Sequence, residues 1–216
     1  MAVHTILKEN EVINFLNNYN LNNLKKYTGI TEGIENTNYL IETVSEKFIL
    51  TIFEDRVEEK DLPFYFELMD HSFTHGINCP RAIISKNNNR LINLKTKKCS
   101  LFTFIEGKCI DQWDEKHCHD VGSVLGKFHK VNSKMKMKKK NDYDINGWKT
   151  LLEKCSHDMN SVILNSYDIV LNELSFLEKN WPDKLPKGII HADLFPDNVL
   201  FLNNTISGII DFYFSS

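Results

Sequence analysis

The apolar positions of this chain change period several times, and each change marks a new kind of element. Between Asn10 and Tyr19, Val12, Phe15, Leu16 and Tyr19 recur at helical spacing and predict a short amphipathic helix. Asn-rich residues 17–23 break that pattern. From Lys25 the period falls to two, and Tyr27–Ile30, Asn38–Thr43 and Lys47–Phe53 are expected to be strands. Asp61-Leu62-Pro63 then opens a helix, since Asp can cap it and Pro fits its first turn. The helix should run to about His75 with Phe66, Met69 and Phe73 toward the core and Gly76 as its stop. Arg81–Ser85 and Arg90–Leu94 are expected as strands flanking the turn Asn87-Asn88-Asn89. Cys99–Ile105 follows as a last apolar strand before Glu106-Gly107. This order fits an antiparallel sheet.

The second half is patterned for helices. From Asp114 onward Val121, Val124, Leu125 and Phe128 fall on one helical face. Trp148, Leu152, Cys155 and Met159 mark a buried stripe on a helix expected over 147–164. Another is expected over 166–180, ended by Trp181-Pro182. Gly188-Ile189-Ile190 reads as a short buried strand and His191–Pro196 as a loop. Asn198–Phe201 and Ser207–Ile210 read as two strands joined by Asn203-Asn204. Sheet first and helices after make the fold class α+β.

That last hairpin carries the chemistry. His191-Ala192-Asp193-Leu194-Phe195-Pro196-Asp197-Asn198 has the spacing H-x-D-x-x-x-x-N, and Asp211 follows the apolar Ile209-Ile210. Phosphoryl transfer from ATP uses such a set: one carboxylate accepts the proton of an attacking hydroxyl, while an amide and a second carboxylate hold Mg²⁺. Asp193 is the candidate base, and Asn198 and Asp211 offer the hard oxygens that Mg²⁺ prefers. A loop followed by a hairpin can bring these residues to one point. Each residue alone could be an ordinary loop carboxylate or turn cap, and the joint pattern between apolar strands argues for catalysis.

Bulk properties exclude other classes. A formal net charge of −3 gives no global reason to expect nucleic acid or an anionic membrane as partner. The basic run Lys134-Met135-Lys136-Met137-Lys138-Lys139-Lys140 reads as a solvated loop. Five cysteines, Cys79, Cys99, Cys109, Cys118 and Cys155, form no Cys-x-x-Cys pair and fit a reduced, cytoplasmic protein. His117, Cys118, His119 and His129 do not make a metal site on a helix, where residues two apart diverge.

The motif and its wording, His191 through Val199 and Gly208-Ile209-Ile210-Asp211-Phe212-Tyr213-Phe214, resemble the homoserine kinases of the aminoglycoside phosphotransferase (choline kinase-like) superfamily. The resemblance extends to Met1-Ala2-Val3-His4-Thr5, to Gly29 through Asn38 and to Asp61-Leu62-Pro63-Phe64. It implies a bilobal protein-kinase-like fold, with an antiparallel-sheet N-lobe over 1–106 and a mainly helical C-lobe over 107–216. It implies ATP and Mg²⁺ as cofactors and L-homoserine as the acceptor, phosphorylated for threonine synthesis. Choline or an aminoglycoside as acceptor, or an inactive nucleotide-binding fragment, are the alternatives. The oligomeric state is left open.

The resemblance also distributes roles. The turn containing Gly33, Asn36, Thr37 and Asn38 would lie over the phosphates, and the backbone of Phe104, Ile105 and Glu106 would bond adenine. Thr51 stands where many kinase-like proteins carry a phosphate-pairing lysine, while Lys47 shares its face but lies roughly 13 Å away. The cation for the α- and β-phosphates is therefore open, with Arg56 a candidate. Glu67 sits where the partner of that lysine would be, or is a solvated surface charge. His191 is a supporting candidate, and His129 is expected as a packed core histidine. Family members continue beyond Phe214, so the C-lobe is expected to be incomplete. Phe212, Tyr213 and Phe214 should then lack cover and leave an exposed apolar patch and a self-associating chain.

Overall fold

Alternation along one strand decides which side of the sheet is core and which is left for the site. The computed structural model describes residues 3–21, 23–33, 35–54, 56–182 and 184–216. Met1, Ala2 and Ile34, which the family resemblance uses, lie outside them. Helix α1 (Glu9–Leu16) precedes strands β1 (Leu24–Ile30), β2 (Thr37–Thr43) and β3 (Lys47–Ile52). Helix α2 (Leu62–Thr74) is followed by β4 (Ile92–Leu94) and β5 (Lys97–Thr103). The sheet is antiparallel throughout in the order β1-β2-β3-β5-β4. Phe48, Leu50 and Ile52 of β3 join Tyr39 and Ile41 of β2 against Val12, Phe15 and Leu16 of α1. Each such buried side chain contributes about 1.5–3 kcal/mol. The intervening Ile49 packs with the second core, built on α2 and on the elements that follow the sheet.

Several expectations change here. Arg81–Ser85 does not form a strand: it makes one bridge, Ala82 to Phe102, because a turn closed by Ser85 N–H to Asn89 O at 2.8 Å leads the chain away. Asp61 makes no side-chain cap bond, since a short 3-10 turn (Glu59–Asp61) already leads into α2 and the carboxylate lies 3.7 Å from Lys139. Phe73 is exposed rather than buried and lies under the Arg81 guanidinium at 4.7 Å. Gly76 stops the helix at φ +79°, a conformation that costs glycine little.

After β5 the connection presses against the last hairpin. Gly107 has φ +143°, and a Cβ there would lie 2.3 Å from Ser207 Oγ and 3.0 Å from the Phe201 carbonyl. The next residue, Lys108, exchanges two backbone hydrogen bonds with Phe201, at 3.0 and 2.9 Å. Helix α3 (Glu115–Asn132) starts at Asp114, whose carboxylate accepts from His117 N–H at 2.9 Å. Phe128 is buried, and Asn132 ties α3 to α2 through Ser72 (3.0 Å). His129 is exposed, contrary to the sequence expectation. One residue past Phe128 is a rotation of about 100° away from the apolar stripe.

Helices α4 (Ile145–Val162) and α5 (Ser166–Asn180) pack on each other, with Trp148 against Trp181 at 5.8 Å between ring centroids. The expected stripe is only partly buried: Leu152 is inside, Trp148 and Met159 are half-buried, and Cys155 is exposed. Amphipathic patterning specifies a face, but α5 covers only part of it. Leu151, Ile163, Leu164, Leu171 and Phe176 are each exposed. The basic run is not wholly solvated, because Met135 is buried and Lys139 bonds Asp142 at 2.8 Å. Among the described residues no helix is long and apolar enough to cross a membrane.

The final hairpin pairs β6 (Val199–Leu202) with β7 (Thr205–Ile209). Asn203 and Asn204, at φ +50° and +60°, form its turn with the conformation that asparagine tolerates. Residues 188–190 do not form a strand. Ile190 exchanges bonds of 3.0 and 3.3 Å with Ser216, and that single partner residue cannot build a ladder. Phe212 is covered, against expectation, and Tyr213 and Phe214 are half-buried. Phe212 is buried between Phe128 and His191, and Tyr213 stands edge-on to Phe53 and Tyr65 at 5.5 Å each. Their cover comes from α2, α3 and Phe53, the residue after β3.

Candidate active site

The site forms where the loop 191–198 and the residues after β7 are folded back on each other by the hairpin. Val199 pairs with Ile209, and Ile210 N–H donates to the Asn198 carbonyl at 3.0 Å. Register thus brings Asn198 beside the segment that carries Asp211, as the motif requires. Asn198 also donates through Nδ2 to the Asp193 carbonyl (2.8 Å) and carboxylate (3.0 Å). The side-chain carbonyl oxygen of Asn198 is left uncommitted by those bonds. Ala192 and Asp211 adopt positive φ, +65° and +62°. Non-glycine residues in this region are uncommon and collect at functional sites.

His191 holds the two halves together. It is 1% exposed, packed on Phe128 and Phe212, and its Nε2–H donates to the Ile210 carbonyl at 3.1 Å. Burial pushes its pKa down to about 4, so the ring is neutral at ordinary pH. Its role is positional: it clamps the loop to the residue that precedes Asp211.

The carboxylates show the electrostatics of a site built for a cation. Burial, with Asp193 and Glu35 close by, pushes Asp211 up to about 6. Its Oδ1 is buried with no hydrogen-bond partner. An orphaned acid oxygen beside other acids is costly unless a positive group joins it, so the residues present fit a divalent cation. Asp193 is also raised, by burial first, while Asn198 and Arg56 act in the opposite direction.

The nucleotide-side candidates divide. Asn38 and Thr51 face each other across β2 and β3, with the Thr51 hydroxyl donating to Asn38 Oδ1 at 2.7 Å. Thr51 also meets the buried Tyr213 hydroxyl, so its side chain is already engaged within the protein. Thr37 accepts from His4 and Thr5 N–H (2.9 and 3.1 Å) and donates to Glu54 (2.7 Å). Asn36 accepts from Glu54 N–H at 3.3 Å. These two therefore shape the turn, while Gly33, at φ +97°, has open space around it. Phe104, Ile105 and Glu106 form the connection after β5, where Lys47 Nζ lies 5.4 Å from the Phe104 ring centroid. Glu67 is exposed on α2 and lines an outer cleft with Pro63 and Asp70, so it is not brought into the site.

Arg56 is brought in, with partners that sequence reasoning missed. Its Nη1 pairs with Glu35, its Nη2 donates to Tyr143 Oη at 3.2 Å, and it stacks over Phe214 at 4.6 Å. No local periodicity points to Tyr143 or Glu35, since both lie in irregular segments. His117 Nε2 meets Asn204 Oδ1 at 2.7 Å and ties α3 to the hairpin turn.

An antiparallel-sheet lobe followed by a helical part gives a kinase-like fold. The chain belongs to the phosphotransferase enzyme family, whose description matches residues 26–216. Along its whole length it is 41% identical to the homoserine kinase of Bartonella henselae and 40% identical to that of Agrobacterium fabrum. It spans 67% of each of those relatives. Among solved structures it shares the fold of a microcompartment-associated aminopropanol kinase, with a TM-score of 0.73 at 16% identity over 97% of this chain and 70% of that one. A spectinomycin phosphotransferase in complex with ADP and spectinomycin gives a TM-score of 0.70 at 14% identity, over 98% and 70% of the two chains.

Proposed function

We propose that this chain carries the nucleotide-binding and catalytic parts of an ATP- and Mg²⁺-dependent kinase that phosphorylates the hydroxyl of L-homoserine. The observation that carries this reading is the 41% identity to a homoserine kinase across the whole chain. The Asp193–Asn198 hydrogen bond and the unpartnered Asp211 oxygen support the chemistry within that match. The division into lobes at 106/107 is supported by the close approach of Gly107 to the hairpin.

Asp193 takes the proton of the acceptor hydroxyl. The hydroxyl oxygen bonds the γ-phosphorus as the bond to the β–γ bridging oxygen breaks and ADP leaves. Raising a carboxylate toward the working pH makes it a better proton acceptor, and partial burial of Asp193 acts in that direction. Asn198 keeps that carboxylate aimed. Asn198 Oδ1 and Asp211 would hold Mg²⁺, which when bound offsets negative charge on the phosphates. Gly33 leaves the turn over the phosphates free of side-chain atoms, and the backbone of Phe104–Glu106 offers the adenine contacts.

The test is ADP release with L-homoserine, choline, kanamycin and L-serine as acceptors, each with ATP and Mg²⁺. L-Homoserine should accelerate release most. Preference for choline or kanamycin would overturn the acceptor and leave the kinase class standing.

A further inference from the structure

Thr51 leaves the β3 position without a cation, and its hydroxyl is engaged with Asn38 and Tyr213. The cation whose field reaches Asp193 is Arg56. Four separate segments converge on its guanidinium. Arg56 itself follows β3, Glu35 comes from the turn between β1 and β2, Tyr143 from the connection before α4, and Phe214 from the chain beyond Asp211. Nη1 faces the Glu35 carboxylate, Nη2 is fixed by Tyr143 Oη at 3.2 Å, and the plane is backed by the Phe214 ring at 4.6 Å. An aromatic face and a hydroxyl orient an arginine without consuming its charge. Among the described residues Glu35 is its ion-pair partner.

Glu35 is a poor permanent partner. It brings a further carboxylate into the neighbourhood of Asp193 and Asp211, both of which feel it or are felt by it. Burial raises its own carboxyl above the ordinary range, ahead of the opposing pull of Arg56. A carboxylate arriving with a substrate could replace it on the same guanidinium and release Glu35 with its turn toward solvent.

We propose that Arg56 is the specificity-determining residue that binds the acceptor's carboxylate, and that Glu35 holds its place until the acceptor arrives. This rests on the amino-acid acceptor proposed above. Two features favour a carboxylate over a nucleotide phosphate. The guanidinium lies within electrostatic reach of Asp193, the group that receives the acceptor hydroxyl, and L-homoserine joins hydroxyl and carboxylate by a short aliphatic chain. The guanidinium also already holds a carboxylate, that of Glu35, in the place that an acceptor carboxylate would fill. Choline offers nothing to this residue, so Arg56 would separate amino-acid alcohols from amino alcohols.

The experiment is equilibrium titration of the full chain, with Mg²⁺ and a non-hydrolysable ATP analogue present. The ligands are L-homoserine and 3-amino-1-propanol, which lacks the carboxylate. Arg56→Gln should weaken L-homoserine binding on the order of 10- to 100-fold, the range for losing a charged hydrogen-bond partner. It should leave 3-amino-1-propanol and the nucleotide analogue within about threefold, a margin well below that loss. Glu35→Gln frees the guanidinium and should tighten L-homoserine binding roughly 3- to 10-fold, as expected when a competing state is removed. A misfolded variant could not produce that gain. Unchanged L-homoserine binding in both variants overturns the proposal and leaves the kinase reading intact. Weakened nucleotide binding in Arg56→Gln also overturns it and makes Arg56 a phosphate contact. Failure of the unmodified chain to bind L-homoserine overturns both the proposal and the acceptor on which it rests.

Discussion

Asn198 Nδ2 donates to the Asp193 carboxylate at 3.0 Å and to the Asp193 backbone carbonyl at 2.8 Å. One amide thus fixes the proposed base while its own carbonyl oxygen stays available to a cation. The two roles assigned to this pair therefore separate cleanly by mutation. Asp193→Asn keeps the loop's size and can still accept a bond from Asn198, but it cannot take a proton. We expect turnover to fall about 10²- to 10⁴-fold with the affinity for ATP retained. The check is steady-state kinetics beside nucleotide titration, and a variant within threefold of the original turnover would remove Asp193 from the mechanism.

Asp211→Asn tests the cation. With nucleotide at roughly 100 times its Kd, binding stabilises a protein by about 2.7 kcal/mol, and the Mg²⁺-dependent part of the melting shift should vanish in this variant. In EDTA the sign reverses. Asp211 has a folded pKa raised to about 6 from 3.8, so its ionisation opposes folding increasingly as pH rises through that interval. The metal-free variant should therefore melt no lower than the unmodified chain at pH 7.5. An undiminished Mg²⁺-dependent shift would exclude Asp211 as a ligand.

His191 provides the opposite pH dependence. Its folded pKa is lowered to about 4 from 6.5, so its contribution is fully present above 6.5 and is lost as pH falls toward 4. Its loss amounts to on the order of 3 kcal/mol. His191→Phe keeps an aromatic ring and does not titrate. Its stability deficit at pH 7 should shrink between pH 6.5 and 4, as followed by thermal melts. A deficit that stays constant would mean that the ring is not buried neutral.

Gly107 and Gly126 form a matched pair. Alanine at 107 must adopt φ near +143° and meet Ser207 Oγ and the Phe201 carbonyl, which should cost on the order of 1–3 kcal/mol. Alanine at 126, on the exposed side of α3 with nothing within 4 Å, should stabilise by roughly 0.5–1 kcal/mol. Urea midpoints moving in opposite directions would bear this out, and a neutral Gly107→Ala would show that the connection does not press on the hairpin.

Local order read well from the sequence because it is set by neighbours along the chain. The alternation of Phe48, Leu50 and Ile52, the Pro63 start and Gly76 stop of α2, and the Asn203-Asn204 turn each carry their own steric reason. The spacing from Asp193 to Asn198 was legible too, and two hydrogen bonds from Asn198 Nδ2 span it. The tertiary structure alone decided what covers each face. Phe73 and Cys155 sit on patterned faces that stay exposed, whereas Phe212 is buried and Tyr213 partly covered by residues more than eighty positions away, such as Phe128 and Phe53. The strand expected at 188–190 failed for the same reason, because its partner is Ser216 alone. Most of all, the pairing of Arg56 with Glu35, Tyr143 and Phe214 is a long-range electrostatic and stacking contact. A sequence states that those charges and rings exist, and only the folded chain determines which of them meet.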